Sequence, residues 1–432
     1  MSILRIRWWS VVACVLFGAV CAFVSCGPGG QGSSGAPDPH PKVFGPAATP
    51  RIALWAVPGQ LRIDPLTGKA INPHVAGRNW RKGNSVWLAA SRTVRLGMAR
   101  NERLGFQLIV EAAGEDLRYV GVRVSDLAGP DGAKIPARAA DLFRVWYTEV
   151  TEPSKIISGF NAQGLPSLGT GWYGDALIPF RVKGWGAPFS VPRGRNQAVW
   201  IDLDTPKKIP AGTYRGRITV TADRAKAAVA DIELTVWDFD VPDKLNARAE
   251  APIYRATIPG MWRINERSDL ALKLERQFYL MAREHRFIPY VYDTYPDIKG
   301  SGADIEIDWT FYDKRHGPYL DGSAFPDCLP IEHWNVPVDT YWPGPRGGNR
   351  RDPKTYYARI EKVVKAFDEH FTEKGWKPRM YVYFQGLDEP STQAKYDELK
   401  RLAQVVHRAS KRVKFRHDFF TPFTDAEKMI GI

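Results

Sequence analysis

Met380-Tyr-Val-Tyr-Phe-Gln-Gly-Leu-Asp-Glu-Pro390 reads as an apolar, aromatic strand that runs into two adjacent carboxylates and then a proline. Ser391–Ala409 behind it carries apolar residues at helical spacing, so the unit is strand, turn, helix. The same grammar repeats outward. Ala251–Thr257, Phe287–Tyr292 and Val413–Asp418 read as strands, and Arg267–Arg286 and Pro353–Lys374 as amphipathic helices. Alternating strands and helices imply a parallel sheet, open or closed into a barrel. Residues 246–432 are therefore expected to form a (β/α) TIM-barrel-like domain. A complete eightfold barrel takes about 250 residues, whereas 251–432 supply 182 with four evident strands. The barrel is thus expected to be incomplete at its C-terminus, and the chain a fragment.

Upstream the pattern changes to short alternating runs separated by Gly, Pro and Asp. These are Arg51–Val57, Leu104–Glu111, Tyr119–Val124, Phe143–Val150, Gln197–Asp202, Tyr214–Thr221 and Ala228–Trp237. Seven strands at such spacing, with no long helix among them, predict an antiparallel β-sandwich over residues 51–245. Between the second and third C-terminal strands, Thr294–Asp352 is rich in Trp, Tyr, Asp, Gly and Pro. It is too long for a plain connection, and insertions of that kind shape binding sites.

The N-terminus reads as a targeting segment. Arg5 and Arg7 precede an apolar stretch, Trp8–Val24, broken only by Ser10. Phe23-Val24-Ser25-Cys26 resembles a bacterial lipobox, in which Cys26 takes the lipid and becomes the mature N-terminus. Residues 1–25 would then be a lipoprotein signal peptide, and 26–50 a tether, since 27–50 hold six Gly and six Pro. The expected location is exported and membrane-anchored, at the outer membrane, cell surface or periplasm. Cleavage removes Cys14 and Cys21 and lipidation occupies Cys26, so Cys328 remains as the free thiol and no internal disulfide forms. Soluble secretion after ordinary cleavage and an uncleaved anchor are the alternatives.

The 432 residues are 44% hydrophobic and 25% charged, which excludes a disordered, collagenous or polytopic membrane protein. The formal charge is +13, but the basic residues are scattered among acidic ones, and the densest cluster is only Lys411, Arg412, Lys414 and Arg416. A nucleic-acid partner is therefore not expected. The eight His residues include no HExxH pair, and there is no G-x-S-x-G elbow and no P-loop. Neither a metal nor a cofactor is expected.

Asp388 and Glu389 are the candidate catalytic groups, because a barrel enzyme places its chemistry at the C-terminal ends of its strands. From spacing alone a second reading stands beside this one: Asp388 caps the following helix and Glu389 sits in its first turn, where the helix dipole favours acids. Candidate substrate-binding residues come from position. Tyr292 and Asp293 end the second strand, and His417 ends the last. Gln385 lies on the approach to the acidic pair, and Trp334 and Trp342 lie in the long insertion, where an indole can stack on a sugar face.

Several stretches are similar to glycoside hydrolase family 123 and its relatives. Asp308-Trp-Thr-Phe-Tyr-Asp-Lys-Arg-His-Gly-Pro-Tyr-Leu-Asp-Gly-Ser-Ala-Phe325 and Leu387-Asp-Glu-Pro390 resemble its catalytic module. Asn101-Glu-Arg-Leu-Gly-Phe-Gln107, and Trp200-Ile-Asp-Leu with Ala211-Gly-Thr-Tyr214, resemble its β-sandwich. The resemblance covers roughly residues 85–425. It implies an exo-acting β-N-acetylgalactosaminidase-type glycosidase working by substrate assistance on a glycan or glycoconjugate with a terminal N-acetylhexosamine. In that scheme Asp388 orients the acetamido N–H and stabilises the oxazolinium-like intermediate. Glu389 protonates the leaving oxygen and later deprotonates water, which calls for a raised pKa. Two competing readings are a non-catalytic carbohydrate-binding or scaffold lipoprotein of the same fold, and a glycosidase whose nucleophile lies elsewhere.

Overall fold

The computed structural model describes residues 49–75, 77–152, 168–243, 249–254, 257–292, 294–339, 341–344 and 352–418. The expected signal peptide, Cys26 and most of the tether lie outside the described residues, as does Asp293. Chain contacts separate two compact units after Val241.

The first unit is a two-sheet β-sandwich. Its strands are β1 (Ile52–Pro58), β2 (Trp87–Leu88), β3 (Thr93–Arg100), β4 (Arg103–Ala112), β5 (Leu117–Val124), β6 (Leu127–Ala128), β7 (Lys134–Ile135), β8 (Ala140–Val150), β9 (Gly171–Pro179), β10 (Phe189–Val191), β11 (Asn196–Asp204), β12 (Gly212–Thr221) and β13 (Ala228–Asp240). One sheet runs β1-β4-β11-β8-β9 and the other β10-β5-β12-β13-β3-β2, with the short β6 and β7 beside β12. The period-two pattern explains the packing. In β13, Ala230, Ile232, Leu234 and Val236 point into the core while Val229, Asp231, Thr235 and Trp237 face out. Each buried Val, Leu or Ile contributes roughly 1.5–3 kcal/mol by leaving water.

Two details depart from a plain antiparallel sandwich. β13 pairs with β3 in parallel, from Asp231 opposite Thr93 to Val236 opposite Met98. The outer face of β4 is covered as well: Phe106–Val110 is buried at every position, because the segment after β1 lies over it and Gln107 Nε2 donates to the Leu61 carbonyl at 2.5 Å.

The second unit has the expected parallel grammar. β14 (Ala249–Tyr254) pairs in parallel with β15 (Phe287–Tyr292), and β18 (His333–Asn335), β19 (Arg379–Tyr383) and β20 (Lys414–Arg416) form a parallel trio. Between them lie α1 (Thr257–Trp262), α2 (Asp269–Glu284), a hairpin of β16 (Asp297–Ser301) and β17 (Asp304–Asp308), α3 (Thr310–Leu320), α4 (Pro353–Glu373) and α5 (Gln393–Ala409). The sheet comes as a pair and a trio, so among the described residues it does not close into a barrel. The long helices begin where their sequence provides an oxygen to cap the first N–H groups. Ser268 accepts from Ala271 N at 3.2 Å, and Asp352 from Thr355 N at 3.1 Å with Pro353 at the first helical position.

The 294–352 insertion is more ordered than its composition suggests. α3 has no apolar stripe to read, because Tyr312, Arg315, His316, Gly317, Tyr319 and Leu320 are buried around most of its circumference. It also contains Gly317 and Pro318, both unfavourable inside a helix. Tertiary burial holds it. Its Arg315 pairs with Glu275 of α2, with side chains 7% and 3% exposed, and Tyr319 lies flat on Tyr279 with ring centroids 3.7 Å apart.

Candidate active site

β19 ends at Tyr383, a 3-10 turn spans Gln385–Leu387, and Asp388 and Glu389 follow, both exposed. The helix cap lies farther on: the Thr392 side chain accepts from Lys395 N, four residues past Asp388. The acidic pair is thus free of the capping role that spacing alone allowed it. Glu389 has φ +47°, the left-handed region that a residue with a Cβ rarely adopts. Strained backbone of this kind clusters at functional sites. The left-handed turn at Glu389 also keeps the two neighbouring carboxylates from following an ordinary extended alternation.

Asp388 is held from one side. The Tyr383 hydroxyl donates to Asp388 Oδ1 at 2.6 Å. The imidazole of His417, just beyond β20, lies along the Tyr383 ring, with centroids 5.6 Å apart and planes 25° apart. Its Nε2 is 2.9 Å from the Leu387 carbonyl. A carbonyl only accepts, so this nitrogen carries a proton. Burial lowers the His417 pKa, and the Leu387 carbonyl, Asp388 and Asp418 act against that shift. A neutral, Nε2-protonated imidazole therefore braces the turn that presents the acidic pair.

The other expected site residues divide. Trp342 leaves the same end of the parallel trio as Asp388, in the loop after β18. It is half-buried and stacked on Tyr295, centroids 5.1 Å and planes 18° apart. It lines a cleft of about 400 Å³ with Tyr295, Arg267, Asp297 and Arg359. Asp339 organises this corner by accepting from the Tyr295 hydroxyl and from the backbone N–H of Trp342 at 2.8 Å. Tyr295 and Asp339 were not picked out by sequence, although Tyr295 lies only three residues past the end of β15. Trp334 is a correction. It is 5% exposed in the apolar core, and its indole N–H donates to the Tyr312 hydroxyl at 2.7 Å, so it offers no face to a sugar. Tyr292 ends β15 as expected, but its side chain and that of Gln385 lie outside the described residues.

Sequence reading also missed Glu250. It sits near the start of β14, and its carboxylate contacts one residue of each strand in the trio: His333 Nδ1 at 3.3 Å, the Tyr381 hydroxyl at 3.0 Å, and Arg416. One carboxylate, its side chain 9% exposed, therefore ties the strand pair to the trio. Its partners are far apart in sequence, so no local signal announces it. Among the described residues no group of three or more His, Cys, Asp or Glu side chains is arranged to hold a metal ion.

Residues 81–222, the heart of the sandwich, match the glycoside hydrolase 123 N-terminal domain. No curated protein matches the chain. Among solved structures, a family 123 glycoside hydrolase from Clostridium perfringens, described for glycolipid glycan hydrolysis, is similar at TM-score 0.59 and 16% identity, covering 87% of this chain and 66% of its own. This chain thus spans just under two thirds of that enzyme's length. A GH5 xyloglucanase from Bacteroides ovatus, in complex with a heptasaccharide, reaches only TM-score 0.25 at 10% identity, over 76% of this chain and 62% of its own. Residues 81–222 are thus similar to the N-terminal domain of glycoside hydrolase family 123, and the chain as a whole shares the fold of the clostridial family 123 enzyme.

Proposed function

We propose that this protein is an exported, lipid-anchored glycoside hydrolase of the β-N-acetylgalactosaminidase type, exo-acting on 2-acetamido sugars with retention through substrate assistance. The observation that supports this most is the adjacency of Asp388 and Glu389, both exposed at a strand end, with Asp388 Oδ1 engaged by Tyr383. A retaining enzyme with a protein nucleophile needs two carboxyls about 5 Å apart across the anomeric carbon, an arrangement ill suited to neighbours on one turn. If the acetamido oxygen of the substrate attacks instead, the two services fall on nearby atoms. Asp388 Oδ2 accepts the acetamido N–H and aims its carbonyl oxygen at the anomeric carbon. That oxygen bonds to the carbon as the glycosidic bond breaks, and Glu389 gives its proton to the departing oxygen. Glu389 then takes a proton from water, which attacks the same carbon and reopens the oxazolinium-like ring. No cofactor enters.

Paired aryl glycosides test the reading, one with a 2-acetamido group and one with a 2-hydroxyl. Cleavage of the first alone is expected. Equal cleavage of both points to a conventional nucleophile, and cleavage of neither to a non-catalytic glycan-binding protein. The anchor is tested separately: Cys26→Ala is expected to abolish labelling by a radioactive fatty acid, and retained labelling rejects the lipobox.

A further inference from the structure

The outer face of β13 carries a surface that the hydrolase reading does not use. Asp231, Glu233 and Thr235 alternate out of the strand, and past Val236, where the register with β3 shifts and every residue to Asp240 is exposed, Trp237 and Phe239 continue the surface. At its far end Trp237 and Phe239 are 46% and 54% exposed, unusual for large apolar rings. The two rings are parallel within 10°, with centroids 5.9 Å apart. They are also built in. A Cβ on Gly97 of the neighbouring strand would come within 2.8 Å of the Trp237 ring, so the indole lies down on bare backbone and turns a flat side outward. The strand end beneath is clamped. Arg100 donates to Asp240 at 2.8 Å and to Asp238 at 2.9 Å, and Asn101 Nδ2 to the Val241 carbonyl at 2.7 Å.

The rest of the face is polar. Arg215 pairs with Glu233 at 3.0 Å and Arg217 with Asp231 at 3.2 Å, across β12 and β13, and Thr213 stands opposite Thr235. A protein-docking patch would continue the apolar character across its centre. Here two flat apolar rings lead into a row of donors and acceptors, and the regular part of the row from Asp231 to Trp237 runs on the order of 20 Å at about 3.3 Å per residue. Such a surface matches a chain of pyranoses, whose C–H faces stack on aromatic rings while the hydroxyls at their edges hydrogen-bond. We infer that this face of the sandwich is a second, non-catalytic glycan-binding site, selective for oligosaccharides over monosaccharides. Rigid rings need no ordering on binding, which lowers the entropic cost.

The test uses the full chain carrying Asp388→Asn, so that the proposed catalysis is disabled and binding alone is read. Calorimetric titration with chitohexaose and with cellohexaose is expected to give saturable binding of at least one, and N-acetylglucosamine alone to bind at least about tenfold more weakly. Trp237→Ala and Phe239→Ala should each weaken the oligosaccharide about tenfold with an unchanged circular dichroism spectrum. Gly97→Ala, which keeps both rings and displaces the indole, should weaken it several-fold. Tyr119→Ala, at another exposed ring, should have no effect. The inference is overturned if neither hexasaccharide binds, if Trp237→Ala and Phe239→Ala bind normally, or if Tyr119→Ala is equally damaging. Because the readout is binding to the sandwich, failure here leaves the acetamido test of the catalytic pair intact, and the reverse also holds.

Discussion

Tyr383 and Asp388 stand five residues apart, on either side of a 3-10 turn, and are joined by a hydrogen bond of 2.6 Å from the phenol to the carboxylate. The bond occupies one carboxylate oxygen and leaves the other to face a substrate. It also fixes the plane of the group on which the proposed orientation of the acetamido group depends.

Tyr383→Phe is expected to lower kcat/KM on a 2-acetamido aryl glycoside roughly tenfold to a hundredfold. A hydrogen bond to a charged group is worth about 1.5–3 kcal/mol, and each 1.4 kcal/mol of barrier is about tenfold in rate. In an Asp388→Asn background the same substitution should cost little more. Fully additive losses in the double variant rule out Asp388 as the group through which Tyr383 acts.

Glu389→Gln should be damaging in proportion to how poor the leaving group is, since a good leaving group departs without a proton. Asp388→Asn should slow the first step on all leaving groups alike, because it acts on the acetamido nitrogen and not on the departing oxygen. A plot of log kcat/KM against leaving-group pKa for both variants separates the roles. Parallel slopes for the two would remove the assignment of Glu389 as general acid.

Glu275→Leu is expected to destabilise the second unit by about 3–5 kcal/mol, because it leaves the buried Arg315 guanidinium unpaired. Burial raises the Glu275 carboxyl above the ordinary range, with Arg315 working against the shift. Adding Arg315→Met should recover most of the loss, as two apolar groups replace the ion pair. Urea unfolding measures both, and an inert Glu275→Leu would show that the pair contributes nothing.

His316 makes stability depend on pH. It is 1% exposed, and neither ring nitrogen has a hydrogen-bond partner. Burial, helped by the Arg315 charge, lowers its pKa well below the ordinary 6.5. The unfolded chain therefore binds the proton first. The stability associated with the neutral imidazole is complete above about pH 6.5 and is lost as pH falls below it, down through the folded-state pKa. One proton corresponds to about 1.4 kcal/mol per pH unit. Urea denaturation between pH 7.5 and 5 should show this slope in the native chain and a shallower one in His316→Phe. Identical slopes would mean His316 titrates alike in both states.

Sequence alone determined the local grammar. The apolar spacing of α2, α4 and α5, the capping oxygens of Ser268, Asp352 and Thr392, and the period-two runs of β12 and β13 are all written within a few residues of where they act. The acidic pair at the end of an aromatic strand was legible for the same reason. What tertiary structure decided are relationships between distant residues. It placed Trp334 in the core and Trp342 at a cleft, though both are tryptophans of one insertion. It made a helix of Thr310–Leu320 in spite of Gly317 and Pro318, through the buried Glu275–Arg315 pair and the Tyr279–Tyr319 stack. It brought Glu250 to His333, Tyr381 and Arg416, and laid Trp237 on Gly97. Local backbone preference depends on near neighbours, whereas burial, ion pairing and ring stacking depend on which distant segments the fold brings within a few ångströms.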